Sequence, residues 1–188
     1  DGDTANAQLT ININDSIPVG STVTASQKLD DDAQAGGHLD TSPLAPGDVT
    51  NANAIARSAA GSLFTVGADG FGSLSITDPA VKAIWVDPNG VGHQETVNWT
   101  SSTVNGVTTY TGSSDHIATV AVLHVYADGS YDYSQSAAIV HSDVGQTTGG
   151  QDVTFAMVVS DADGDTANAQ LTININDSIP IFDAPANQ

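Results

Sequence analysis

The chain contains no cysteine, only three basic residues and a single glutamate, Glu95, among its 188 residues. The absence of cysteine excludes disulfides, so a secreted form would need another stabilising device, such as bound metal. The scarcity of basic residues leaves 22 acidic residues nearly unopposed, with a formal net charge of −19. This charge argues against binding to nucleic acid or anionic membranes and favours bound cations. Acidity that serves only solubility is the alternative.

Long apolar runs and helical periodicity are also missing. No stretch of about 18 apolar residues is present, so we expect no membrane-spanning helix. Helix is expected only as a short turn near 53–60. Alternation of apolar and polar residues, rich in β-branched side chains, instead predicts short strands throughout the chain. The predicted strands are 7–14, 21–26, 62–66, 73–77, 83–87, 95–102, 107–112, 117–127, 130–135, 153–160 and 169–176.

Turn residues separate these strands and indicate how they pair. Asn105-Gly106 and Asp128-Gly129 each lie between two alternating segments and predict β-hairpins. Trp85 and Trp99 are predicted to lie in the core. Many short antiparallel strands favour an all-β fold, an Ig-like antiparallel β-sandwich with calcium-binding loops and little or no helix.

One segment occurs twice. DGDTANAQLTININDSIP forms residues 1–18 and again residues 163–180, a shift of 162 positions. The duplication predicts a tandem repeat, and the chain as a fragment of a longer array. We assign residues 1–18 to the last strand and linker of a preceding repeat, 19–180 to one module, and 181–188 to the start of the next linker or repeat.

The densest acidic motif is SDADGD, residues 160–165, just before the last strand of the module. Asp161, Asp163 and Asp165 alternate, and Gly164 permits a tight bend. Calcium prefers six to eight oxygen ligands, and three carboxylates on one turn supply part of that set. An EF-hand is excluded, since Thr166 and Thr172 stand where it needs Gly and Glu. A polar turn without metal is the alternative.

Further candidate calcium ligands flank the repeat boundary. Asn176 and Asp177 end the module, and Asp1, Asp3 and Asp15 belong to the first copy of the same unit. KLDDD adds three adjacent carboxylates shortly after that copy, and they repel one another unless a cation or solvent screens them. We expect the acidic tip of one module to meet the linker of its neighbour, with Ca²⁺ between them. A solvated acidic turn is the alternative for the triplet, Asp30, Asp31 and Asp32.

The unit resembles cadherin-type and bacterial Ig-like modules, in which spaced aspartates and the linker after the last strand share calcium. A more specific resemblance is to the large repeat of type I-secreted, RTX-type bacterial adhesins. The segments that carry it are LDDDAQAGG (29–37), AAGSLFTVGADGFGSLSI (59–76), YADGSYDYSQSAAIVH (126–141) and FAMVVSDADGDTANAQLTININDSIP (155–180).

The resemblance implies a role as well as a fold. Members of that family carry tandem Ig-like modules that bind Ca²⁺ and act as extenders, holding a ligand-binding end away from the cell for adhesion and biofilm formation. It implies a secreted protein at the bacterial cell surface, with neighbouring repeats of the same polypeptide as partners. We expect calcium to stiffen the array outside the cell.

Two other functional classes, an enzyme and a ligand-binding module, compete with the extender role. No histidine lies in a nucleophile elbow, a zinc motif or a phosphate loop, so we expect no enzymatic activity. A ligand-binding adhesion module for sugar or protein is the main alternative. It would use Trp85, Trp99 and Tyr110, together with the Gly/Pro-rich loop 36–48.

The first copy of the repeated strand lacks an obvious place in this module. We expect residues 7–14 to pair with an exposed sheet edge, and pairing with the edge of a neighbouring chain would make the strand mediate self-association. The alternative is that this copy displaces its twin at 166–176. Exposure of Leu9, Ile11 and Ile13 to water would be the unexpected outcome.

Overall fold

The computed structural model describes residues 1–35, 52–57, 61–141 and 150–176. Nearly all the regular structure in these residues is β-strand, with one 3₁₀ turn at Asp31–Ala33. The strands are β1 Val19–Gly20, β2 Thr22–Thr24, β3 Leu29–Asp30, β4 Ala54–Ile55, β5 Phe64–Thr65, β6 Phe71–Thr77, β7 Lys82–Val86, β8 Gly92–Thr96, β9 Asn98–Val104, β10 Val107–Ser113, β11 Ala121–Tyr126, β12 Tyr131–Gln135, β13 Gly150–Asp161 and β14 Thr166–Asn176.

Two larger sheets organise these strands. One has the order β4-β12-β11-β10-β9, and the other has the order β2-β14-β13-β6, with β3 also paired to β14. Two-stranded ribbons are formed by β1 with β5 and by β7 with β8. Most pairs are antiparallel, whereas β2 and β3 run parallel to β14. The incoming chain therefore follows β14 from one end of the module to the other.

The core lies between the inner faces of the two sheets. Burial alternates along β10 to β14, as expected for strands with one buried face. Phe155 on β13 is fully buried and packs edge-on against Trp99, Tyr110 and Tyr133 of the opposite sheet, with ring centroids 5.3–6.1 Å away. These contacts join the sheets face to face. The predicted all-β, sandwich-like class with little helix is confirmed.

Both predicted hairpins form. Asn105 and Gly106 have φ angles of 51° and 74°, the left-handed pair that a two-residue type I′ turn requires between β9 and β10. The β11–β12 loop is longer. Gly129 has φ 79°, and the Tyr126 N–H donates to the Ser130 carbonyl over 2.9 Å, as in a three-residue loop with a bulge.

Two expectations differ from the structure. Residues 1–18 contain no strand, and Leu9, Ile11 and Ile13 are 83%, 71% and 90% exposed. The twin segment occupies its own place as β14, between β13 and β2, so displacement does not occur in this chain. The helical turn considered near 53–60 is absent from the described residues 52–57, where β4 pairs with β12. No helix in the described ranges is long and apolar enough to cross a membrane.

Candidate metal centre

One end of the sandwich gathers five carboxylates from three separate segments, and we call them the proximal cluster. The β13–β14 hairpin contributes Asp161, Asp163 and Asp165, the turn between β5 and β6 contributes Asp69, and the segment before β1 contributes Asp15. Sheet pairing explains the meeting, because β6 lies beside β13 and β1 lies beside β5.

The spacing of these carboxylates suits a single cation or two adjacent ones. Oxygens of Asp15, Asp163 and Asp165 lie within 4.8 Å of one another, and so do oxygens of Asp69, Asp161 and Asp163. Two oxygens bound to one Ca²⁺ at about 2.4 Å can lie at most about 4.8 Å apart. The two groups share Asp163, which places that residue at the centre of the cluster.

Asp161 differs from the others because its carboxylate is buried. The residue is 2% exposed, and its Oδ1 accepts hydrogen bonds from the backbone N–H groups of Gly164 and Asp165 over 3.1 and 2.8 Å. Its Oδ2 is buried as well, and no N–H or O–H group of the described residues donates to it. A buried carboxylate oxygen without a donor is costly unless a proton or a cation lies beside it.

The neighbouring carboxylates change the acidity of Asp163. A hydrogen bond shared with Asp161 raises the pKa of Asp163 from 3.8 to about 6, with further contributions from desolvation and from the charges of Asp15 and Asp69. The cluster therefore retains a proton more strongly than an isolated aspartate does. A site that holds a proton in this way is also electrostatically suited to a divalent cation.

The proximal cluster joins four of the predicted ligands and adds one. Asp15 converges with Asp163 and Asp165, as the linker-to-tip hypothesis requires, and Asp161 joins the cluster through Asp163. Asp69 was missed, because its Ala-Asp-Gly segment reads as an ordinary turn and nothing local marks it as a ligand. Asp1 and Asp3 are exposed and belong to neither group of converging carboxylates in the described residues.

A second acidic group, which we call the distal group, lies at the other end of β14. It comprises Asp30, Asp31, Asp32 and Asn176, and Asp30 pairs with Asn176 in the β3–β14 register. The eleven residues of β14 separate the two ends, by about 36 Å at about 3.3 Å per residue. The distal group therefore cannot share an ion with the proximal cluster of the same module.

Burial rules out one interpretation of this group. Asp30, Asp31 and Asp32 are 0%, 2% and 6% exposed, so a solvated acidic turn is wrong. The Asp32 N–H donates to Asp30 Oδ1 over 3.0 Å, which fixes the turn locally. The ligand roles of Asp30, Asp32 and Asn176 stay predictions, and Asp177 lies outside the described residues.

Asp31 has hydrogen-bonding partners that account for its burial. Its Oδ1 accepts from the Gln135 amide over 3.0 Å, and its Oδ2 accepts from the Ile139 N–H over 3.3 Å and lies 2.8 Å from His141 Nε2. These contacts tie the 3₁₀ turn to the chain that follows β12. They favour a structural role for Asp31, and its ligand role stays a prediction.

The aromatic residues of the alternative binding site do not form a common platform. Trp99 and Tyr110 stack on each other inside the core at 5.1 Å, so neither is free for a ligand. Trp85 is half-buried at the surface instead of in the core, and its ring stacks on His116 at 4.1 Å. His93 lies across the strand pair, 5.3 Å from the same ring. Loop 36–48 lies outside the described residues.

Four histidines each contact one carboxylate. The pairs are His93 with Asp87, His116 with Glu95, His124 with Asp132, and His141 with Asp31. In the second pair, the Ser114 hydroxyl also donates to Glu95, and this hydrogen bond is the main cause that lowers the Glu95 pKa. His93 with Asp87 and His124 with Asp132 are close in the sequence, whereas His141 and Asp31 are 110 residues apart.

Comparison with protein-family models, curated proteins and solved structures finds no match for this chain. The geometry of the proximal cluster and the repeated sequence are therefore the features that indicate a function.

Proposed function

We propose that this chain is a calcium-stabilised extender module of a repetitive bacterial surface adhesin. The observation that carries the proposal is the meeting of Asp15 with the carboxylates of the β13–β14 hairpin. Asp15 precedes the module, whereas the hairpin belongs to its tip. A cation held by both would tie the incoming linker to the module.

The chemistry of the cluster supports a hard divalent cation. All of its converging side chains are carboxylates, and Ca²⁺ prefers oxygen ligands in a flexible arrangement. The buried Asp161 Oδ2 lacks a donor among the described residues, and the pKa of Asp163 is raised first by its hydrogen bond with Asp161 and further by desolvation and the neighbouring negative charges. A bound Ca²⁺ would neutralise that charge and stabilise the folded form by mass action.

The repeated sequence extends this arrangement from one module to an array. Residues 177–180 repeat residues 15–18, so the linker after this module carries the same Asp-Ser-Ile-Pro sequence as the linker before it. Each following repeat would then present its own acidic tip to that linker. A module whose longest strands span about 36 Å adds length to the array with every repeat.

The exposed first copy of the strand fits the same proposal. Leu9, Ile11 and Ile13 correspond to Leu171, Ile173 and Ile175, which are fully buried in β14. In a longer array, residues 4–14 would occupy the β14 position of the preceding repeat. Pairing of this segment with another chain, and thus self-association, stays a prediction for the chain by itself.

The extender role places the protein outside the cell, at the bacterial surface, with neighbouring repeats as partners and biofilm formation as the biological context. Extracellular modules bind calcium with dissociation constants of about 10⁻⁴ to 10⁻³ M. Such sites fill where calcium is abundant and stay empty where it is scarce. The module would therefore stiffen after export and not before it.

Calcium titration by calorimetry tests this proposal. We expect the metal-free chain to bind Ca²⁺ with millimolar or tighter affinity, and Asp15→Asn to weaken binding at least about tenfold, because a charged ligand is lost. Asp3→Asn is the matched control, since Asp3 is exposed in the same segment and lies outside the cluster. Absence of binding at Ca²⁺ concentrations up to about 10 mM would refute the proposal.

A further inference from the structure

The linker also contacts the module through hydrogen bonds that need no cation, one of which ends on Asp69 of the proximal cluster. The Ser16 hydroxyl accepts a hydrogen bond from the Ala68 N–H over 2.8 Å and donates to Asp69 Oδ2 over 2.7 Å. Ser16 and Ala68 are 52 residues apart in the sequence. This contact therefore joins the segment before β1 to the β5–β6 turn.

The position of Ser16 follows from the strand pairing beside it. β1 pairs with β5 in the register Val19 to Thr65, and the same antiparallel register continued backwards brings Ser16 opposite Ala68. Pro18 lies between Ser16 and Val19 and has no N–H, so the hydrogen bonds between the two backbones cannot continue through it. The serine hydroxyl takes over as the acceptor for the turn.

Close packing shows that the turn is shaped around this side chain. A Cβ added to Gly67 would lie 2.1 Å from Ser16 Oγ and 2.5 Å from Ser16 Cβ. Glycine is therefore required at 67 while Ser16 is docked. Pro18, two residues further along, is buried, so the linker packs against the module at Ser16 and at Pro18, while Ile17 between them is exposed.

We infer that residues 67–69 form a docking seat for the linker that works without metal, with Ser16 as its positioning residue. The effect of this seat on Ca²⁺ binding rests on the proposed function, whereas the docking itself does not. Ser16 follows Asp15, and its own N–H donates to Asp15 Oδ1 over 3.0 Å. Docking of Ser16 thus holds the Asp15 carboxylate at the proximal cluster before a cation arrives.

This arrangement gives the seat a defined role at the module junction. The seat fixes where the linker approaches the tip, and the carboxylates then bind the cation with one ligand already in place. Pre-positioning a ligand raises affinity because less conformational freedom is lost on binding. The second copy of the linker carries Ser178 at the corresponding position, so each junction of an array contains the same element.

Amide hydrogen exchange in chelator tests the seat directly. We expect the Ala68 N–H to exchange about tenfold more slowly in the wild type than in Ser16→Ala, because only the wild type has the Ser16 hydroxyl that accepts this N–H. Asp15→Asn should keep the slow exchange, because it alters the cation site and leaves the hydroxyl in place. Equal exchange in the wild type and Ser16→Ala would overturn the inference.

Calcium affinity provides the second measurement. We expect Ser16→Ala and Gly67→Ala to weaken Ca²⁺ binding by about threefold to tenfold, although neither change removes a carboxylate. Gly92→Ala is the control, since its Cβ would meet only Ile84 Cγ2 at an ordinary 3.5 Å. If the wild type binds no Ca²⁺, the proposed function fails, while slow Ala68 exchange would still establish the seat. Unchanged affinity in both variants would refute the positioning role.

Discussion

Replacement of Asp161 by asparagine should change the stability of the protein in opposite directions with and without calcium. The change keeps Oδ1, which accepts from the Gly164 and Asp165 N–H groups. It replaces the buried Oδ2, which receives no donor from the described residues, by an amide that donates. In chelator, that amide can bond to the neighbouring carboxylates. In calcium, a charged ligand is lost.

The expected changes in melting temperature follow from two free energies, that of one hydrogen bond and that of Ca²⁺ binding. A hydrogen bond contributes about 0.5–1.5 kcal/mol net, so the calcium-free variant should melt about 2–4 °C above the wild type for a gain of about 1 kcal/mol. At 10 mM Ca²⁺ and a dissociation constant of about 10⁻⁴ M, binding stabilises the wild type by about 2.7 kcal/mol. That corresponds to about 5–11 °C. A hundredfold weaker site would retain only about 0.4 kcal/mol.

Differential scanning calorimetry, carried out in chelator and in about 10 mM Ca²⁺, measures both effects in one series. The control is Asp152→Asn, an isosteric change on the same strand, where Asp152 is exposed and accepts from the Asn174 amide over 2.9 Å. An Asp161→Asn variant that melts lower than the wild type in chelator, yet gains as much from calcium, would refute the reasoning. Equal stabilisation by Mg²⁺ would argue against a calcium site.

Three further predictions address the proximal cluster, the core and the distal group. In chelator, the melting temperature should fall as the pH rises from about 5 to 7. The reason is that the pKa of Asp163 is about 6 in the folded protein, which therefore keeps a proton that the unfolded chain has already released. A flat profile, or the same slope in Asp163→Asn, would contradict this. Phe155→Ala should cost about 3–5 kcal/mol in urea unfolding, because a fully buried ring between the sheets is lost, whereas a loss below about 1 kcal/mol would mean that the sheets do not pack there. Asp31→Ala should lower the free energy of unfolding by about 3 kcal/mol, because the buried Gln135 and Ile139 donors lose their acceptor. Ca²⁺ affinity at the proximal cluster should stay unchanged. A drop in that affinity would mean that the distal group and the proximal cluster are coupled.

Local patterns were sufficient to predict the fold class and the hairpins. Asn105-Gly106 specifies a type I′ turn through backbone preferences that act within four residues, so its hairpin could be placed without tertiary information. The alternation of SDADGD likewise predicts converging carboxylates, because that hairpin is local as well. Trp85 was misplaced, since an alternating strand does not reveal which face another sheet will cover.

Long-range pairing decided what local patterns could not. Asp69 joins the proximal cluster only because β6 lies beside β13, a contact between distant segments. The burial of Asp31 depends on Gln135 and His141, more than a hundred residues away. Nothing in the sequence near either aspartate distinguishes a metal ligand or a buried acceptor from an exposed turn residue.

The duplicated segment separates the two contributions within a single chain. Its sequence by itself determines an alternating, β-branched stretch with a strong preference for an extended strand, and this preference is identical in both copies. The copy at 166–176 becomes β14, with Leu171, Ile173 and Ile175 fully buried. The copy at 4–14 forms no strand, and the corresponding side chains are exposed. A strand needs a partner for its backbone hydrogen bonds and a second sheet for its apolar face, and in this chain β13 supplies that pairing to one copy only.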